Sequence, residues 1–220
     1  MLATEAPREA IAALRKSRML DPKSVEALKV LGRACGKAGD TAEAIDVLQQ
    51  AIDLDPSYGQ GHLEIARVCV GAGRVEQAET AYEKAMDACG DESAVFREFA
   101  ALQRERGRRE SSVEVLLRGS QLHPKEVRIH RLLSEDHLSL KQWSEAVDAA
   151  EQALALDRDN LPCHRVHAKA CEALGRVTDA IADWEHVLTL DSGDVEAQGA
   201  LGRLRIASGQ DREAVGVLEK

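Results

Sequence analysis

Between residues 41 and 54, Ala44, Val47, Leu48 and Ala51 fall at i, i+3, i+4 and i+7. That spacing aligns apolar side chains along one face of a helix, so the stretch predicts an amphipathic α-helix. Asp40, Thr41 and Glu43 open it, where acidic and small polar residues suit the positive end of the helix dipole. Gly39 stands just before them, where glycine supplies the left-handed conformation that ends a preceding helix. The pattern therefore reads as one helix, a glycine turn, and a second helix.

The same pattern returns along the chain. Leu20-Asp21-Pro22 recurs as Leu54-Asp55-Pro56, Ala88-Cys89-Gly90, Leu122-His123-Pro124, Leu156-Asp157-Arg158 and Leu190-Asp191-Ser192, each step being 34 residues with no gap. Gly32, Ala66, Ala100, Ser134, Ala168 and Gly202 form one column of small residues in that register. Ala44, Ala78, Ser112, Ala146, Ala180 and Ala214 form another. Small side chains in these columns permit close approach where two helices cross. A third column reads Gly39, Gly73, Gly107, Lys141, Gly175 and Gly209. Lys141 is its exception and predicts a turn that is strained or differently built. The repeating unit is helix A, a glycine turn, helix B and a short Asp-Pro link.

Composition agrees with an all-α chain. Of 220 residues 44% are hydrophobic but only 3% aromatic, so the core must be built from Ala, Leu, Val and Ile. Five cysteines without a CxxC pair argue against a disulfide framework and point to a reducing compartment, with a cytoplasmic location expected. No secretory signal and no run of 18 apolar residues is present in these 220 residues.

With these columns in place, the chain resembles the tetratricopeptide repeat family, whose 34-residue unit carries bulky, Leu-Gly, bulky, Gly, Ala, aromatic, Ala and Pro positions in that order. Residues 25–58 match through Leu28, Leu31, Gly32, Cys35, Gly39, Ala44, Leu48, Ala51 and Pro56. Residues 59–92 match through Ala66, Gly73, Ala78, Tyr82 and Ala85, and residues 161–194 through Ala168, Gly175, Ala180 and Trp184. Residues 93–126 and 127–160 are weaker copies, departing at Gly119 and Lys141. The resemblance implies one array over 1–220: a helix B alone at 1–22, five full repeats from 25 to 194, and a partial repeat at 195–220. Its implied fold class is an all-α, right-handed superhelical solenoid of antiparallel helix pairs. The incomplete outer repeats lead to the expectation that these residues belong to a longer protein, or that a partner or second copy covers Val215 and Leu218.

The resemblance also implies a function. Members of the family bind extended peptides on a concave wall lined by A helices, largely through the fifth and ninth places of each. Here those places hold Lys29, Arg33, Leu63, Arg67, Arg97, Ala101, Arg131, Glu135, Arg165, Lys169, Gly199 and Arg203, eight cations and one anion. The A helices carry 13 Lys and Arg against 8 Asp and Glu, in a chain whose net charge is −9. A basic inner wall on an acidic body would attract an acidic segment or a free C-terminal carboxylate. The candidate groove is therefore Lys29, Arg33, Arg67, Arg97, Arg131, Arg165, Lys169 and Arg203, with Lys37 read as ordinary surface charge. Of the carboxylate clamp of chaperone-binding members, only Lys29 is matched. Arg33 and Glu64 stand where asparagines are expected, so anion capture in general is carried over rather than that activity.

Other chemistry is sparse. Cys163, His167 and Cys171 share a helix face at i, i+4 and i+8 but match no established zinc spacing, and they read as packing residues; no metal and no cofactor is assigned. No phosphate-binding loop, GxSxG or HExxH is present. The expected function is a non-catalytic scaffold or adaptor for a protein carrying an acidic segment. The alternative is a recruiting arm of a larger enzyme, such as a glycosyltransferase. Self-association through the solenoid ends is a further expectation. The isoelectric point near 5.3 and the few aromatic residues disfavour nucleic acid.

Overall fold

The computed structural model describes residues 5–209; Ala214, Val215 and Leu218 lie outside them. Among the described residues there are twelve α-helices and no strand. They fall in two compact units, Met1–Val95 and Phe96–Lys220.

The first unit contains α1 (Glu5–Leu20), α2 (Val25–Ala38), α3 (Thr41–Leu54), α4 (Gln60–Gly71) and α5 (Val75–Ala88). The next helix, α6 (Ser93–Glu105), begins in it. The second unit continues with α7 (Arg109–Leu122), α8 (Val127–Ser139), α9 (Trp143–Leu156), α10 (Leu161–Ala173), α11 (Val177–Leu190) and α12 (Val195–Ala207). Helices α3, α5, α7, α9 and α11 each begin 34 residues after the one before, and all are 14 residues long. The period in the sequence is thus the period of the helices.

Local chemistry sets the ends. Ser24, Asn160 and Asp194 cap α2, α10 and α12, each side chain accepting from the amide three residues on. At the other end of α2, Gly39 adopts φ 84°, its amide donating to the Gly36 carbonyl at 3.2 Å while Asp40 donates to that of Cys35 at 3.0 Å. That pair of bonds closes the helix in a Schellman turn. Lys141 takes the same turn with φ 60°, the amides of Lys141 and Gln142 reaching Leu138 and His137. The irregular copy is therefore strained rather than differently built.

The small columns lie where helices meet. A methyl on Gly32 would stand 2.5 Å from Leu48 Cγ, so α2 reaches α3 only because that side chain is missing. Ala44, Ala78, Ser112, Ala146 and Ala180 are all fully buried. In the first unit Leu28, Leu31, Val47 and Leu48 fill the space between helices, and in the second Phe96, Leu116, Ile129, Trp184 and Leu201 do so. Full burial of each large apolar side chain contributes about 1.5–3 kcal/mol. All five cysteines are free and buried.

Candidate groove on the A helices

Lys29 and Arg33 lie one turn apart on α2, and Arg67 lies on α4 of the same unit. Lys29 Nζ stands 3.4 Å from Asp55 Oδ2 and 4.2 Å from the centre of the Tyr58 ring. Arg33 Nε is 3.7 Å from Glu64 Oε1, and the buried Glu64 accepts from the Tyr58 hydroxyl at 2.6 Å. Burial, reinforced by that hydrogen bond to a carboxylate, pushes the Tyr58 phenol above its ordinary value. Arg33, Lys37 and Arg67 rim a hollow of about 290 Å³ whose walls include Gly36, Leu48, Glu64 and Val68. The sequence reading set Lys37 aside because it shares no column with other repeats. The available signal was its place one helical turn beyond Arg33.

In the second unit, Arg97 on α6 is half-buried and its Nε has no hydrogen-bond partner. Arg131 on α8 is hydrogen-bonded to Glu135 one turn on. On α10, Arg165 Nε donates to Asp194 Oδ2 at 2.9 Å, and Lys169 Nζ is 2.8 Å from Glu196 Oε1. Burial alone would raise the Asp194 carboxyl, but the Ala197 amide and the Arg165 guanidinium outweigh it and hold it below its usual range. Arg203 on α12 is exposed.

At least five of the eight candidate cations, Lys29, Arg33, Arg131, Arg165 and Lys169, thus face a carboxylate of this chain. Of these partners the sequence shows only Glu135, one turn beyond Arg131 on the same helix; the other four come from outside the counted places. Asp55 and Asp194 lie in the links, and Glu64 and Glu196 lie on the A helices outside the fifth and ninth places, whereas Glu135 is the one anion counted there.

The two candidate donor clusters differ. His167 and Cys171 approach, with Sγ 3.7 Å from Nδ1, whereas the charged neighbours of Cys163 are Arg131, Glu135 and Asp157. Cys163, His167 and Cys171 do not converge on a common point within reach of one ion. Burial pushes the Cys163 thiol up to about 12 and the Cys171 thiol up to about 11. A cluster the sequence reading did not raise, Cys35, Asp40 and Glu43, does place its donor atoms within 4.8 Å of one another. Its negative charge is already met by the Arg15 guanidinium of α1, which donates to Glu43 at 3.0 Å and to Asp40 at 3.3 Å.

Comparison with known proteins is consistent with this geometry. Family models described as tetratricopeptide repeats match residues 2–59 and 36–97. A DnaJ homolog subfamily C member 7 homolog of Schizosaccharomyces pombe is 36% identical over 69 residues, a match spanning 31% of this chain and 14% of that protein. Among solved structures, MamA superposes with a TM-score of 0.66 at 18% identity, covering 73% of this chain and 88% of that one. YrrB, described as a TPR protein with an unusual peptide-binding site, superposes with a TM-score of 0.67 at 13% identity over 86% of this chain and 97% of its own. PilF of Pseudomonas aeruginosa does so at 0.61 and 22% identity, over 88% of each.

Proposed function

Because the chain is a tetratricopeptide repeat protein, we propose that it acts as a non-catalytic interaction scaffold whose A helices bind an extended or C-terminal acidic segment of another protein. The fold supports protein partners in general. The observation that carries the finer reading is the cationic rim of Arg33, Lys37 and Arg67 around the apolar-walled hollow in the first unit. An aliphatic side chain would fill such a hollow while a carboxylate bonds to the rim. In the second unit, Arg97 is the candidate whose Nε is left without an internal partner. A peptide-binding site in YrrB, a protein of the same fold, is in keeping with this reading.

The pairing also dictates the test. Reversing Arg165 would set a carboxylate against the buried cap Asp194, so loss of binding and loss of structure would be confounded. Neutralising Arg33, Arg67 and Arg97 to Gln sets no carboxylate against another. Wild-type chain should bind a fluorescein-labelled Glu-rich peptide with a free C-terminus more tightly than its Lys-rich counterpart. Raising the salt should weaken that binding, since attraction is screened beyond about 8 Å at physiological ionic strength. The triple variant should keep its helical circular dichroism and lose about tenfold or more in affinity, about 0.5–1 kcal/mol per cation. Equal affinity of the two proteins by anisotropy would sink the proposal.

A further inference from the structure

A cluster of buried titratable side chains lies in repeat 161–194, where α10 packs between α9 and α11. Asp183 of α11 is buried and sits between two rings of α10. Its Oδ1 accepts from His164 Nδ1 at 2.7 Å, and its Oδ2 accepts from His167 Nδ1. The far nitrogens also face oxygen. His164 Nε2 is 2.8 Å from the Arg158 carbonyl, and His167 Nε2 is 3.5 Å from Glu151 Oε1 on α9.

A neutral imidazole carries one N–H and one lone pair. Either neutral tautomer of His164 would turn its lone pair onto a carboxylate or a carbonyl, and His167 is placed in the same way. Only the doubly protonated ring satisfies both sides. Burial opposes that charge, but the bonds to Asp183 and the second acceptors outweigh it and raise both histidines above their ordinary value. Burial would likewise raise Asp183, and its two imidazolium partners hold it below the usual carboxylate range.

The repeat supplies an internal control. Three repeats earlier, the places of His164, His167, Asp183 and His186 are taken by His62, Ile65, Ala81 and Lys84, which line a hollow of about 540 Å³. No carboxylate replaces Asp183 there, and burial together with Lys84 lowers His62. The same backbone position is therefore pushed in opposite directions by its surroundings: down by burial and Lys84 in one copy, up by Asp183 and the Arg158 carbonyl in the other.

We infer that His164, Asp183 and His167 form a protonation clasp that fastens α10 to α11 while both rings are charged and releases it when they lose their protons. The other charges around it are consistent with this. His186 of α11 stands 4.3 Å from the His164 ring and its Nε2 is 3.3 Å from Asp159, while Cys171 and Arg176 lie beyond His167. Helix α8 brings Arg131 and Glu135 to the opposite side of α10, beside Cys163, and Arg205 of α12 reaches α11 at Glu185. The raised histidines contribute stability that is complete below their unfolded value, about 6.5, and is lost as pH climbs through the folded values. The lowered Asp183 contributes above about 3.9 and fails only in acid. The clasp is thus closed in mildly acidic solution and opens on the alkaline side. Arg165 and Lys169 ride on the same helix, so release acts on the groove side of α10, although the clasp itself does not depend on peptide binding.

Histidine titration by NMR on the whole wild-type chain tests this without any substitution. Two rings should titrate above the ordinary histidine value and His62 below it. Amide protection of α10 and α11, corrected for base catalysis, should fall as pH climbs above about 6.5, and the fall should vanish in the H164Q/H167Q variant. Asp183→Asn should return both rings toward the ordinary value. Two rings titrating at or below that value, or protection that does not fall as the two rings lose their protons, would overturn the clasp. Stoichiometric zinc chloride that shifts both rings and raises protection at pH 8 would also overturn it, by making the cluster a metal site.

Discussion

Lys141 shows at the scale of one residue how the repeat overrides local preference. Its φ of 60° lies in a region that costs a non-glycine residue about 1–2 kcal/mol, yet the Schellman bonds at that turn are made as in the glycine copies. Lys141→Gly should therefore stabilise the chain by about 0.5–1 kcal/mol, the relieved strain less the extra freedom of glycine in the unfolded chain. A rise in the urea midpoint at unchanged slope would show it; a fall would mean that the lysine side chain holds the turn. This feature was legible in the sequence because a positive φ is demanded by the chain path itself. The charge state of His164 was not, because its reason, Asp183, lies 19 residues away on the next helix.

At the scale of elements, α6, α7 and α8 are joined by a buried polar network that the other repeats lack at the same column. Asp136 stands in the column held elsewhere by Ala34, Val68, Leu102, Ala170 and Leu204, and it is fully buried. It is satisfied from two neighbouring helices. Arg104 of α6 donates to it at 2.9 Å, while Arg109 and Ser112 of α7 do so at 3.0 and 2.6 Å. Ser112 is the one hydroxyl in an otherwise all-alanine column, which makes its departure part of the same network. Asp136→Ala strands the two guanidiniums and the serine, and should cost about 3–5 kcal/mol. Ser112→Ala removes one hydrogen bond and should cost about 1 kcal/mol. A double-mutant cycle by urea denaturation should find the two losses non-additive; additive losses would mean that the contacts act independently.

At the scale of the whole molecule, the aromatic residues are distributed so that each unit has its own reporter. Both tyrosines, Tyr58 and Tyr82, lie in Met1–Val95, and both tryptophans, Trp143 and Trp184, lie in Phe96–Lys220. Repeat proteins are stabilised by nearest-neighbour contacts, so their parts can unfold apart. Unfolding followed by tryptophan fluorescence should not coincide with that followed by far-ultraviolet circular dichroism, and superimposable curves would show a single cooperative block. Among the described residues the phase of the helices, their glycine stops and their small crossing residues were determined by the sequence. Each follows from interactions within a turn or from a 34-residue period that every copy restates. The sequence likewise placed cations in the A-helix columns. That Lys29, Arg33, Arg165 and Lys169 are neutralised, by Asp55, Glu64, Asp194 and Glu196, was decided only by tertiary structure. So was the clamping of Asp183 between two imidazoles. Coulomb energy and hydrogen bonding depend on distances of a few ångströms, and most of these partners are brought within that range only when helices separated along the chain pack together.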